Sequence, residues 1–503
     1  MKCWNLIFVL LSAATAALSA DYYVDVLRPD DSGAATNWLT AKKTIQAAVD
    51  LAGDGDTVWV TNGVYETGGA ITPGYVLSNR VCITKAMTLR SVNGPDATII
   101  KGAVGTNGGN DTDSMRAVFM SSGSQLIGFS VTEGTTIPSG GNYIYDRSGG
   151  GVWMNAGCVV SNCIVSSNSA ASYAGGVYML NASIDDSVID GNWANVAGGL
   201  SGRSGSEGIA CGCVFKNNHS IQYAGGVYEM TLNNCLVMEN GAGTSGGGAK
   251  YCDLNNCTVV MNSASTGGGT DSCIVQNSIV WGNTGGDIYY GTARYSCASN
   301  IVHGENGCIT NIPAFTGVDD FRLSPTSPCI NCATNEYAVG AVDFAGNPRI
   351  IDTTVDMGAY EFYNESDDFD GDGIANQWEA DYYGNITNAV AGMMCANGES
   401  TLLETYIAGL EPNDPDSMFS LQVDIATQFG NILHWPSASG REYVVYCSTN
   451  LQDGFFSLVE HLESDSGTYI DSIYEYTGPR YYKIDVQVDE DPSDNVILPA
   501  PIL

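Results

Sequence analysis

Positive charge is what this chain has least of. Its 503 residues carry 19 Lys and Arg against 55 Asp and Glu, a formal net charge of −36. A surface of that sign excludes nucleic acid and anionic lipid as partners and disfavours unaided binding of polyuronates, which are themselves polyanions. Beyond the first twenty residues no stretch is long and apolar enough to span a bilayer, so no transmembrane segment is expected. Proline is also scarce, and no helical period survives across the central third of the chain, which argues against a coiled coil or an α/β fold. Histidine is sparse too. His219 stands alone, and His434 and His461 have no partner at ligand spacing, so they read as packing or surface residues.

What the chain does have is glycine, tyrosine and cysteine. Lys2, the apolar Leu6–Leu11 and the small residues up to Ala20 have the plan of a secretory leader cut near Ser19 or Ala20. A secreted protein, extracellular or on the outer cell surface, is the expectation. A chain of this length should hold two to four domains. Of 16 cysteines, 15 lie beyond the leader, so at least one has no disulfide partner within the chain.

An internal repeat organises the middle of the chain. Gly-Gly pairs fall at Gly150/Gly151, Gly175/Gly176, Gly198/Gly199, Gly225/Gly226, Gly247/Gly248 and Gly268/Gly269, at steps of 25, 23, 27, 22 and 21. A seven-residue element keeps phase with them: NCIVSSN to Asn168, DSVIDGN to Asn192, GCVFKNN to Asn218, NCLVMEN to Asn240, NCTVVMN to Asn262 and NSIVWGN to Asn283. GFSVTEG, ending at Gly134, is an earlier copy. Gly-Gly permits positive φ and close approach at a corner, and the terminal Asn is expected in the left-handed region, where Gly134 would replace it. The strands between are short and rich in Val, Ile and Tyr. Units this small cannot bury their own apolar face and must stack, each about 4.8 Å above the last. The fold class predicted is all-β, a right-handed parallel β-helix.

Cys163, Cys213, Cys235 and Cys257 share one position of the element, where Ser187 and Ser278 replace Cys. An internal column of reduced thiols is expected, because stacked β-carbons sit further apart than the about 3.8 Å a disulfide prefers. Cys297 and Cys308, outside the column, are a candidate disulfide. Upstream, Ile45, Ala48, Val49 and Ala52 share one face of a short helix that would cap the open end of the stack.

These ends carry a resemblance. TIQAAVD, GDTVWVTNGVYETGG, NRVCITKAMTLRSVNGPDATIIKG, the SPCI segment and NPRI…VDMGAYE resemble exported bacterial right-handed β-helix proteins of the pectate-lyase-like superfamily, within it the group called "choice-of-anchor". GGVY and FKNN are similar to the repeats of chlamydial polymorphic outer-membrane proteins, which are adhesins. The resemblance spans about residues 21–363 and implies a fold, not an activity.

After Tyr363 the composition turns acidic. DFDGDGIANQWE matches D-x-D-x-D-G-x5-E at every required position. Ca2+ is the expected ion, with Asp368, Asp370 and Asp372 as carboxylate ligands, the Ile374 carbonyl, Asn376 direct or through water, and a bidentate Glu379. CANGESTLLE, downstream, has lost the carboxylates a second site would need. The domains expected are a leader at 1–20, the β-helix at 21–363, an EF-hand-like calcium-binding linker at 364–412, a small β-sandwich at 413–488 and a disordered tail at 489–503.

Catalytic residues do not declare themselves. Between Gly149 and Asp287 there are three fixed cations, Arg203, Lys216 and Lys250, against nine acids. In the pair Asp185/Asp186, Asp186 takes the slot of Asn162, Asn234, Asn256 and Asn277, which reads as a corner residue. The segment Thr135–Ser148 and the turn Ser201–Glu207 would have to bring Tyr143, Tyr145, Asp146, Arg147, Arg203 and Glu207 to one groove to make a site. Trp153, Tyr178 and Tyr228 follow the Gly-Gly pairs in register and form a candidate glycan-binding aromatic column. Two readings follow: adhesion or binding of a polysaccharide or cell-surface glycan, without catalysis, or a polysaccharide-degrading lyase or hydrolase. Convergent carboxylates in one groove would favour the second.

Overall fold

The computed structural model describes residues 19–488, apart from 122, 204, 206, 428–429, 453, 464–466 and 473–477; the side chains of 425–427, 459–461 and 463 are also left aside. Residues 1–18 of the expected leader (1–20), the expected tail 489–503 and the His461 side chain therefore lie outside the described residues. The chain divides into two compact units. One runs to Phe362 without Ala345–Asn347; the other comprises Ala345–Asn347 and everything from Tyr363.

The first unit is a parallel β-helix of the hand that parallel crossovers take. Its strands assemble into one sheet of eleven strands, two of ten and one of four, all parallel but for the short Ala70–Ile71 at one edge. One turn shows the course: Val152–Met154 lies in a third sheet, Val159–Ser161 in the first, Ile164–Ser166 in the second and Ser169–Tyr173 in the fourth. The chain then re-enters the third sheet at Val177–Met179, paired to the strand it left. In the third sheet the flanking residues of a strand, such as Val152 and Met154, enter the core, whereas in the first and second sheets the three-residue strands point their middle side chain inward. Down the second sheet that column runs Ile100, Val131, Val165, Ile189, Phe215, Val237, Val259 and Val280, all fully buried. Each side chain so buried contributes roughly 1.5–3 kcal/mol, which a single turn has no neighbour to supply. Ile45, Ala48, Val49 and Ala52 of the helix Ile45–Leu51 and its C-cap pack into the same core and close its open end.

The corners differ from the sequence expectation in which residue does what. The Gly-Gly pairs are not at positive φ. The residue before each pair is: Gly149, Ala174, Ala197, Ala224, Gly246 and Gly267, at φ between 54° and 68°. The glycines are needed for space, since a Cβ on Gly225 would fall on the backbone of Gly241 and Gly247. Likewise the terminal Asn is not left-handed; its predecessor is, at Ser167, Gly191, Asn217, Glu239, Met261 and Gly282, and Glu133 before Gly134. The asparagines form a buried ladder instead. The Asn192 amide nitrogens, backbone and side-chain, both donate to Asn218 Oδ1 at 3.0 Å, and Asn192 Nδ2 also reaches Val165 O at 2.9 Å. The same links recur from Asn168 to Asn283, where Asp287 ends the ladder.

All fifteen cysteines from Cys82 to Cys447 are free. In the internal column each thiol donates to the carbonyl two residues back, as at Cys213 to Cys211 O (3.3 Å) and Cys235 to Asn233 O (3.2 Å). Ser187 and Ser278 make the same bond with a hydroxyl, which explains the exchange. The candidate pair Cys297 and Cys308 is not a disulfide. Cys297 packs in a core with Cys329, and its thiol donates to Asn311 O.

The second unit starts with two short helices, Asn376–Tyr383 and Leu402–Ala408, around Ile374, Ala389, Cys395 and Leu402. Two three-stranded antiparallel sheets follow. They share one core of Leu433, Trp435, Tyr443 and Val445, a small β-sandwich.

Candidate functional site

The outward face of the third sheet carries one column through successive turns: Phe119, Trp153, Tyr178, Ser201, Tyr228, Lys250, Asp271 and Tyr289. Its two halves meet different fates. The segment Thr135–Ser148 folds down over the first half. Tyr145 lies 4.6 Å from Trp153 between ring centroids and stacks on Tyr75 at 4.0 Å. The Trp153 indole donates to Ile144 O. Trp153 is 0% exposed and Tyr178 3%, so neither offers a face to a sugar. Of the three aromatics singled out by register, only Tyr228 keeps an accessible surface.

Arg116 and Asp146 hold that cover in place. The buried Arg116 guanidinium donates to Gly149 O, Ser148 O and Tyr145 O, and burial pulls its pKa down to about 9. The Asp146 carboxylate accepts from the amides of Val76, Leu77 and Asn142. Tyr145 and Asp146 are thus framework, and Glu207, exposed, accompanies neither. Asp186 sits at a corner with φ 47°, in line with Asn162, Asn234, Asn256 and Asn277 at 48–50°.

The exposed aromatic surface lies further along. Tyr143, at the tip of the cover and 54% exposed, is 6.5 Å from Tyr173, which is 6.4 Å from Tyr228, itself 5.8 Å from the half-exposed Tyr251. This track ends at a cleft of about 430 Å³ lined by Arg203, Gly205, Glu229, Met230, Thr231, Tyr251 and Asp253. Glu229 and Tyr251 occupy equivalent corners in successive turns, at φ 54° and 55°, with Ser272 and Tyr290 next in line at 56° and 49°. Burial raises the Glu229 carboxyl above its usual range, partly offset by the Tyr228 hydroxyl. Partial desolvation raises Asp253, at the mouth of the cleft, in the same direction. Behind them Lys250 is committed. Its ammonium pairs with the buried Asp271, donates to Ser245 Oγ and lies over the rings of Tyr223 and Tyr251, 5.2 and 4.7 Å from their centroids.

Such a cleft offers ring faces for the C–H faces of a sugar and carboxylates to accept from its hydroxyls. Sequence reading missed Glu229, Tyr251 and Asp253. A signal was present, since Glu229, Tyr251 and Ser272 each stand three residues after the second glycine of a pair.

A second cluster lies in the other unit. One carboxylate oxygen each of Asp368, Asp370 and Asp372 lies within 4.8 Å of the others. The Asp368 carboxylate collects the amides of Gly371, Asp372 and Gly373, and Asp372 accepts from Ile374 N. Glu379 is fully buried, and neither carboxylate oxygen has a hydrogen-bond partner, although the Ala389 amide is close enough to favour its charge slightly. Burial, then Asp370 and Asp372, push its pKa up to about 8. A buried carboxyl without partners, facing three more, is the state a divalent cation would relieve. Asn376 is turned elsewhere. Its side-chain oxygen accepts from Phe369 N and its amide donates to Asn364 O. In the downstream half-motif Asn397 Oδ1 accepts from Glu399 N and Ser400 N, while Glu404 closes a capping box on Thr401.

No family model matches this chain, and no curated protein matches it. Solved structures of β-helix proteins do. A pectate lyase matches at 12% identity and TM-score 0.45, over 69% of this chain and 98% of its own. A rhamnogalacturonan lyase matches at 13% and 0.39, over 53% and 75%. A lacto-N-biosidase from Eubacterium ramulus matches at 11% and 0.34, over 55% and 60%. At these identities no residue of theirs maps onto a residue here.

Proposed function

We propose that this is an exported β-helix protein, secreted or held at the outer cell surface, that binds a glycan along the Tyr143–Tyr173–Tyr228–Tyr251 track and in the cleft beyond it. The observation that carries the reading is that unbroken run of partly exposed rings, at centroid spacings of 5.8–6.5 Å, leading into a polar cleft. Rings spaced this way can meet successive sugars of one chain. Adhesion follows from such binding without chemistry, as the resemblance to polymorphic outer-membrane proteins implies. The test is retention of the purified chain on immobilised glycans, with product release scored in parallel. Retention without release, lost in Tyr251→Ala, supports the reading; retention equal in wild type and variant counts against it.

One observation favours the enzymatic alternative, a polysaccharide-degrading hydrolase or lyase. Glu229 and Asp253 line one cleft, and desolvation raises both carboxyls from their ordinary values, the direction that suits a general acid. Release of reducing ends that stops in Glu229→Gln would move the assignment there.

For the linker we propose Ca2+, a hard cation suited to an all-oxygen donor set. Asp368, Asp370, Asp372, Glu379 and the Ile374 carbonyl would hold it, with Asn376 serving the loop backbone. Its role is structural: it would relieve the buried Glu379 charge and stiffen residues 364–412.

A further inference from the structure

We infer, on the basis of the glycan reading above, that the cleft takes a neutral glycan, one without carboxylate or sulfate, and turns polyuronates away. The charge around it is net acidic, two carboxylates against one guanidinium. Glu229 and Asp253 face the cavity, and Arg203 is the one cationic side chain among its described lining residues. Lys250, next to Tyr251 in the chain, is spent on Asp271 and Ser245 and is buried against the Tyr223 and Tyr251 rings rather than open at the surface. A uronate docking on Tyr251 would bring its carboxylate beside Glu229 and Asp253 in a partly desolvated site, where like charges repel more strongly than in water. The molecule as a whole, at −36, adds a field of the same sign. A neutral sugar meets none of this. Its hydroxyls donate to the same two carboxylates, and its C–H face lies against the Tyr251 ring, whose exposed half points to solvent.

The experiment uses the full chain, loaded with calcium and then desalted so that no free ion remains, on matched supports of neutral glycans (glucan, xylan, galactan) and of polygalacturonate and alginate. Retention of at least one neutral glycan at tenfold or more over either polyuronate is expected. Raising salt from about 20 to about 200 mM should narrow that ratio by screening the repulsion, and the pair Glu229→Gln with Asp253→Asn should narrow it about tenfold. Polyuronate retained at parity by the wild type, or a ratio unmoved by both salt and the double variant, overturns the inference while leaving a glycan-binding track. Polyuronate retention that appears on adding calcium and vanishes in the double variant overturns it too, since the carboxylates would then be ion ligands. Retention of neither class overturns the glycan reading itself and this inference with it.

Discussion

At the scale of single residues, two kinds of corner position have been separated. Asn217 and Asn218 are neighbours with opposite jobs: Asn217 turns the chain at φ 55°, and Asn218 bonds to the turns on either side. Removing the Asn218 amide strands the two Asn192 donors in the core. At about 1–3 kcal/mol for each unsatisfied group, Asn218→Ala and Asn218→Gly should each lose about 2–6 kcal/mol in denaturant unfolding. Asn217→Gly should stay within about 0.5 kcal/mol of wild type, since glycine adopts that φ freely. If Gly is tolerated at 218 and not at 217, the ladder is misassigned. The aromatic column separates in the same way. Trp153→Ala should cost about 3–5 kcal/mol with glycan retention per folded molecule unchanged. Tyr251→Ala, half-exposed, should leave the melting temperature within a few degrees and lower retention about tenfold. Sequence periodicity identified which positions are equivalent between turns. It did not show which member of an equivalent pair faces the core, because the partner that decides this lies 22 to 26 residues away.

Among the elements, the acidic loop and the helix after it form the piece whose stability should depend on a ligand. Its one buried carboxyl, Glu379, has no partner while its neighbours Asp368 and Asp370 are exposed. With chelator, limited proteolysis should cut faster within 364–412 and leave the β-helix fragment intact; calcium should restore protection. Glu379→Gln should weaken calcium binding by at least tenfold in titration calorimetry. Equal cleavage with and without calcium would remove the ion from the account. The acidic cluster of the loop was legible in the sequence because Asp368, Asp370 and Asp372 lie within five consecutive residues. The cleft was not, because Arg203, Glu229 and the pair Tyr251 and Asp253 come from three different turns, and of these only Arg203 stood out within its own. The cover over Trp153 was hidden for the same reason: the sequence offered Thr135–Ser148 as a source of groove residues, and its packing partners Tyr75 and Trp153 lie in other parts of the chain.

For the first unit as a whole, residues 330–344 return along the solenoid and bind its corners, and residues 348–362 pack with them. Asn234 donates to Val339 O and Val342 O, and Asn277 donates to Thr334 O and accepts from Thr334 N. Within the returning segment Arg349 pairs with Glu361, and Asp356 accepts from Asn331 N and Phe362 N. Burial raises Asp356 to about 6 and Glu361 to about 8, against the opposing pull of Arg349 and with the aid of neighbouring acids such as Asp352. A carboxyl whose folded pKa is raised binds its proton more tightly folded than unfolded, so its contribution to stability is full at about pH 4 and declines as pH climbs through the folded value. Melting temperatures measured from pH 5 to 8 should fall more steeply for the wild type than for Asp356→Asn. Parallel slopes would refute the coupling.

The sequence by itself determined that the chain stacks in short parallel turns, that its thiols run in a column and that one acidic loop has the spacing of a cation ligand set. All three are carried by spacing along the chain, and spacing is what a sequence records. Only the tertiary structure decided which aromatics are covered and which stay open, and that Glu229, Tyr251 and Asp253 share a cleft. Those facts depend on side chains from separate turns meeting across the surface, where a neighbour in space is some twenty residues distant in the chain.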